Sequence, residues 1–115
     1  MKVCVPMKST MVNNHFGKAP EFSIFLIEEK NIISREIVKN PGRENAMVVK
    51  MMPEQGVTHI ITGAMGSKAR DMMRDHQIIV ITGVLGSIET NVQRFINGEL
   101  VSKDAPCADE HKCGL

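Results

Sequence analysis

Three soft or borderline metal ligands fall within seven residues in Cys107-Ala108-Asp109-Glu110-His111-Lys112-Cys113. Thiolate and imidazole together favour Zn, Cu(I) or iron–sulfur species. The spacing departs from the zinc-finger knuckle, and three ligands are one short of a closed structural zinc site. His15, Cys4 or a second copy of the chain are the candidates for a fourth. The plain structural alternative is a pair of inert thiols, or a Cys107–Cys113 disulfide formed on oxidation.

His15 is the second candidate. It lies in a polar, glycine-containing loop, Asn13-Asn14-His15-Phe16-Gly17. Asn13 and Asn14 suit turns, and Phe16 is expected to anchor the loop in the core, leaving Asn14 and His15 to meet a ligand. A lone loop histidine is more often simple exposed imidazole.

The third candidate is a repeat. Ile61-Thr62-Gly63-Ala64-Met65-Gly66-Ser67 returns twenty residues later as Ile81-Thr82-Gly83-Val84-Leu85-Gly86-Ser87. Both copies sit where a strand gives way to a helix. There Gly63, Gly66, Gly83 and Gly86 would permit tight or left-handed backbone, and Ser67 and Ser87 could cap free amides. A helix N-terminus favours negative charge, by ~0.3–1 kcal/mol when exposed. Two adjacent ends would cradle a multiply charged anion without any lysine. Neither copy is a phosphate loop or a dinucleotide fingerprint. The competing reading is that the glycines merely allow tight turns.

The elements that must position these groups follow from pattern. Residues 2–5 read as a strand closed by Pro6, and residues 7–20 as a polar loop. Residues 22–28 and 32–38 read as strands joined by a turn at Glu29-Lys30-Asn31. A helix over 44–55 takes its apolar stripe from Ala46-Met47-Val48 and Met51-Met52, with Pro53 at its end. From Gly56 the pattern alternates: strand 57–62, helix 67–75, strand 78–82, and helix 87–97 stopped by Gly98. The last two strands are nearly continuous apolar runs, as in a parallel sheet covered on both faces. The expected fold is α/β: a mixed five-stranded sheet, three strands antiparallel and two parallel, with helices on both faces. Residues 1–101 form the domain and 102–115 a Cys/His-containing tail. Right-handed crossovers would bring the His15 loop and both Ser turns to one edge of the sheet.

Composition narrows the function. The chain has 115 residues with 14 basic and 13 acidic side chains, so one neutral domain is expected. A charge of +1, with four Phe and no Trp or Tyr, argues against nucleic-acid binding. No apolar run is long enough for a membrane helix, and Met1-Lys2-Val3-Cys4-Val5-Pro6 lacks the pattern of a secretory leader. A cytoplasmic protein is the default. Three Cys are too few for a disulfide scaffold, and nine Met suggest a core filled by flexible, polarisable side chains. Cys4 reads as core, as do the methionines at 47, 51, 52, 72 and 73. Lys68, Arg70 and Arg74 read as a solvated helix face. The first acid is Glu21, so the first strand carries no ligand for two-metal nuclease chemistry. No nucleophile elbow is present either.

The first strand ending in Val5-Pro6, then Asn14-His15-Phe16-Gly17-Lys18-Ala19-Pro20-Glu21-Phe22, then Ile61-Thr62-Gly63-Ala64-Met65-Gly66 and a closing βα unit resemble the dinitrogenase iron–molybdenum cofactor biosynthesis family. The resemblance covers about residues 1–100 and is most specific at His-Phe-Gly-x-Ala-x-x-Phe. It implies a ribonuclease H-like three-layer fold without nuclease residues. It also implies non-enzymatic binding or carriage of an iron–sulfur or molybdenum-containing cluster, or its precursor. The family's loop histidine falls on His15, and its glycine turn on Gly63 and Gly66.

These lines converge on a carrier or assembly protein for an anionic metal cluster. Its partners would be the cluster, a donor or acceptor protein, and conceivably a second copy of the chain. The main alternative is a regulatory module binding a small anion or nucleotide, with zinc in the tail. Thiol redox exchange at Cys107 or Cys113 ranks third, since only His111 and Lys112 offer a positive environment.

Overall fold

The computed structural model describes residues 1–41, 45–100 and 102. In chain order it has β1 (Lys2–Lys8), β2 (Met11–Val12), a 3₁₀ turn (Phe16–Lys18), β3 (Glu21–Glu28) and β4 (Asn31–Lys39). There follow α1 (Asn45–Glu54), β5 (His59–Ile61), α2 (Ser67–Asp75), β6 (Ile79–Ile81) and α3 (Ile88–Ile96). The sheet runs β4-β3-β1-β5-β6, with β2 added to β1. β3 lies antiparallel to β1 and β4 to β3, whereas β5 and β6 run parallel to β1 and to each other. The fold is therefore α/β around a mixed sheet.

Alternation along the central strand creates two cores. Cys4 joins Phe22, Ile24 and Ile60 under Val48, Val49 and Met52 of α1 and Ala69 and Met73 of α2. Val3 and Val5 join Phe25, Ile27, Ile61 and Ile81 under Ile88 and Val92 of α3. Helices thus cover both faces. Phe16 and Phe22 are fully buried, with ring centroids 5.6 Å apart. The methionines divide. Met7, Met51, Met52, Met65 and Met73 are buried, while Met1, Met11, Met47 and Met72 reach solvent. Helical spacing predicts Met47 and Met72 inside; both instead lie just off the buried stripe of their helix.

Pro6 does not close the first strand. It pairs with Phe22 in the middle of the β1–β3 ladder. The carbonyls of Lys2 and Pro6 accept from Thr58 N at 2.9 Å and Asn13 N at 2.8 Å, both on the side away from β3. The missing N–H therefore falls on that side, and the antiparallel ladder loses no bond. The stretch expected to be a plain loop holds β2 and the 3₁₀ turn, giving a sixth strand. Two-residue pairing is too short to show a period in sequence. The hairpin turn is tighter than expected: Glu28 pairs with Asn31, so Asn31 belongs to β4. Glu29 (φ 50°) and Lys30 (φ 66°) form the two-residue turn in left-handed conformations.

β5 and β6 are shorter than their apolar runs, with three residues each. β6 lies at the sheet's edge, and Ile79 is 58% exposed, so the expected cover on both faces fails there. Pro53 lies within α1 one residue before its end, and Gln55 N still reaches Met51 O at 2.9 Å. The start of this helix expected at Glu44 lies outside the described residues. α2 has the expected bounds, and Gly98 (φ 74°) follows the Asn97 cap of α3.

His59 sits at the opposite end of the sheet from the His15 loop. Its Nδ1 lies 2.8 Å from Thr58 Oγ1, and its ring meets Phe95 edge-on at 5.3 Å. Burial, and secondarily the positive N-terminus, hold its pKa below the ordinary histidine value. The folded protein thus favours the neutral ring. Its stabilisation is complete above the ordinary value of about 6.5 and is lost as pH falls through the lower folded value. We expect His59→Phe to flatten the fall in unfolding midpoint between about pH 7 and 5.5. Parallel pH profiles for the two proteins would contradict this.

Candidate functional site

The His15 loop is fixed by its backbone. After β1 the chain reverses through Ser9 (φ 58°) and pairs Met7 with Val12 and Lys8 with Met11. Asn13 then closes the next turn, its Nδ2 donating to His15 O at 2.7 Å. The loop docks beside the first glycine turn. Gly63 N donates to Asn13 O at 3.4 Å, Ala64 N to Asn14 O at 2.6 Å, and Phe16 N to Ala64 O at 3.1 Å. His15 and Ala64 form a parallel bridge. Phe16 anchors the loop as expected, leaving His15 half-buried and Asn14 exposed.

Gly63 is required by space. A Cβ on it would lie 2.8 Å from both Cα and O of Asn14, closer than any real side chain sits to backbone. The second copy uses its glycines differently. Gly83 (φ 77°) and Gly86 (φ 99°) are left-handed, so there the requirement is conformational.

The two serines also part company. Ser87 caps α3, accepting from Thr90 N at 3.3 Å, whereas Ser67 is already the first residue of α2 and Gly66 stands at the cap. The amides around the second turn are spent within the fold. Ile88 N donates to Thr10 O at 3.0 Å, Val12 N to Gly86 O at 2.9 Å, and Val84 N to Thr62 O at 3.2 Å. Asn91 Nδ2 satisfies the carbonyls of Leu85 (2.9 Å) and Ser87 (2.8 Å). The expectation of two matching helix ends with free amides is therefore corrected. α2 and α3 begin on opposite faces of the sheet, and the end of α3 is closed by Thr10 and Ser87.

The candidate groups nonetheless share one sheet edge. Asn14 lies on Gly63, and Gly83 N donates to Gly63 O at 2.7 Å. Thr82 N donates to Ser102 Oγ at 3.0 Å. Cys107, His111 and Cys113 lie outside the described residues. Among the described residues, no three His, Cys, Asp or Glu gather to hold a metal. Cys4 is ruled out as a fourth ligand. It is fully buried in the core, and burial pushes its thiol well above the usual range.

On the helix face expected to be solvated, Lys68 and Arg74 are exposed and Arg70 is half-buried. Arg70 and Arg74, with Ser67, Asp71, Ile78 and Val80, also line a cleft of about 390 Å³ between α2 and the edge of β6. The signal was the spacing 67, 70, 71, 74, one stripe of a helix. What sequence could not show was the wall of β6 opposite that stripe.

The chain belongs to the dinitrogenase iron-molybdenum cofactor family, whose sequence profile matches residues 1–98. It is 29% identical over 105 residues to MJ0580 of Methanocaldococcus jannaschii, covering 87% of this chain and 89% of that protein. The crystal structure of PH0822 superposes with a TM-score of 0.84 at 26% identity, over 97% of this chain and 99% of that one. The apo form of the orange protein from Desulfovibrio gigas shares the fold, with a TM-score of 0.73 at 20% identity over 89% and 92% of the two chains. Membership associates the chain with iron–molybdenum cofactor handling at the level of the family. Among the described residues no helix is long and apolar enough to cross a membrane.

Gly63→Ala tests the dock. We expect a loss of about 1–3 kcal/mol in denaturant unfolding, the scale of an overpacked contact. The amide resonances of residues 13–16 should shift with it. An unchanged midpoint and unchanged resonances would show that the loop does not depend on this contact.

Proposed function

We propose that this protein binds and carries, without turnover of its own, an anionic iron–sulfur or molybdenum-containing cluster or its precursor. The observation that carries this reading is the clamped His15 loop. Three backbone hydrogen bonds to Gly63 and Ala64 hold His15 and Asn14 at the sheet edge where parallel α/β folds receive ligands. Family membership supplies the cargo class. The contacts proposed are Asn14, His15, Gly63, Gly66 and Ser67, with Gly83, Gly86 and Ser87 shaping the adjoining turn.

Thiometallate clusters are soft and negatively charged. Imidazole nitrogen suits the metal, and the start of α2 suits the charge. Cys107 and Cys113 with His111 would add ligands from the tail. Cys107 lies five residues after Ser102, a reach of up to ~18 Å in extended chain. A cargo held by one loop imidazole and a tail can leave again, as carriage requires. We read the domain, residues 1–101, as ribonuclease H-like and cytoplasmic, with a cluster donor or acceptor protein as partner. A second copy of the chain completing the tail's ligand set is compatible with this reading. Zinc in the tail is the alternative occupant.

Anaerobic reconstitution with iron, sulfide and molybdate, followed by absorption spectra and elemental analysis, tests the proposal. Wild type should retain a coloured cluster. His15→Ala should weaken retention by about tenfold or more, the scale of a lost metal contact. Cys107→Ser with Cys113→Ser should weaken it separately. No retained cluster in wild type would overturn the function, and equal retention in His15→Ala would overturn the site.

A further inference from the structure

A cleft runs beside α2. One wall is the helix stripe Ser67, Arg70, Asp71 and Arg74, and the other is Ile78 and Val80. Residues four apart on a helix face the same way, so the two guanidinium groups are directed to one space. The opposite stripe of α2, Ala69 and Met73, is buried in the core, which fixes the helix's rotation. Arg74 Nη2 already holds Asp71 Oδ1 at 2.7 Å, which restrains that arginine while leaving its other donors to be used.

The strand wall adds directional groups. Ile79 N donates to Thr58 O at 3.0 Å, and Ile81 O accepts from Thr62 N at 2.9 Å. Residues 79 and 81 therefore turn their backbone toward β5, and Val80 turns its N–H and C=O toward the open edge. Thr82 has the same parity, and its outward N–H is covered by Ser102 Oγ. The cleft thus combines a helix wall of two arginines and one aspartate, an apolar floor and, at its rim, a backbone donor–acceptor pair.

We propose that this cleft binds a small phosphomonoester. The phosphate would meet Arg70, Arg74 and the Ser67 hydroxyl, and the body of the molecule would lie on Ile78 and Val80. A volume of about 390 Å³ exceeds what a bare phosphate fills and lies within the range of small-molecule sites. Guanidinium groups in pairs select phosphate through several parallel charge-assisted bonds. The cleft shares Ser67 with the proposed cluster contacts, but the phosphate reading needs neither His15 nor metal.

Calorimetric titration of metal-free protein with adenosine monophosphate, inorganic phosphate and adenosine tests it. The monophosphate should bind most tightly, free phosphate more weakly and adenosine least. Arg70→Gln with Arg74→Gln should weaken the monophosphate by about tenfold or more, the scale of lost charged hydrogen bonds. His15→Ala should leave the affinity within about twofold. Circular dichroism of the double variant checks its fold. If that variant is unfolded, Val80→Glu, which places a carboxylate in the cleft from the strand side, should abolish binding instead. No binding by wild type at millimolar ligand, or full binding after both guanidinium groups are gone, would overturn the proposal. Loss of binding in His15→Ala would overturn the cleft as the location.

Discussion

The approach of the Asn14 backbone to Gly63 is the contact on which the edge of this sheet depends. With 2.8 Å separating Asn14 from the position of a Cβ, no other residue fits without moving main chain. The consequence is more than a tight turn. It lets a loop run alongside β5's continuation as if it were one more strand, bonded through residues 13, 14 and 16. His15 is thereby held by backbone on both sides, with Phe16 buried beneath. A side chain so presented loses less freedom on meeting a ligand than one on an unsupported loop.

The repeated Thr-Gly-x-x-Gly-Ser shows how the same letters serve different physics. In the first copy, glycine is needed because something else comes close. In the second, it is needed because the chain turns left-handed at Gly83 and Gly86. One residue of register then separates the serines, so Ser87 caps α3 while Ser67 enters α2. With α2 and α3 on opposite faces, the second turn buttresses the first through Gly83 and Gly63 rather than doubling it. Internal sequence symmetry has become a division of labour between a supported loop and its support.

This explains what was legible in the sequence. β3 and β4, each to within one residue at either end, the bounds of α2 and the stop at Gly98 follow from period and glycine, all local. The proximity of His15 to the Gly63 turn was also legible, because crossover handedness limits where a loop after β1 can go. Less legible was anything decided by a partner distant in sequence. Pro6 sits mid-strand because β5 no longer pairs at that position. β2 exists only because Met11 and Val12 find Lys8 and Met7. Met47 and Met72 lie just off the buried stripes of their helices, a rotation that periodicity does not resolve. The cleft beside Arg70 and Arg74 was not legible either, because the β6 wall opposite them is set by strand order.

Charge completes the connection from structure to binding. At a net charge of +1 the chain has little long-range field to draw an anion from solution, and charges beyond about 8 Å are screened at physiological salt. On the proposed reading, selection of an anionic ligand must then happen at contact. Contact selection demands that donors already stand where the ligand needs them, since ordering them during binding would consume much of a small interface's affinity. The main-chain bonds around Gly63 supply that order for His15. The buried Ala69 and Met73 fix the rotation of α2 and with it the face on which the arginine stripe lies. A neutral protein can therefore discriminate among anions through rigidity placed at a few residues, and those residues include the glycines and the apolar anchors as much as the groups that touch the ligand.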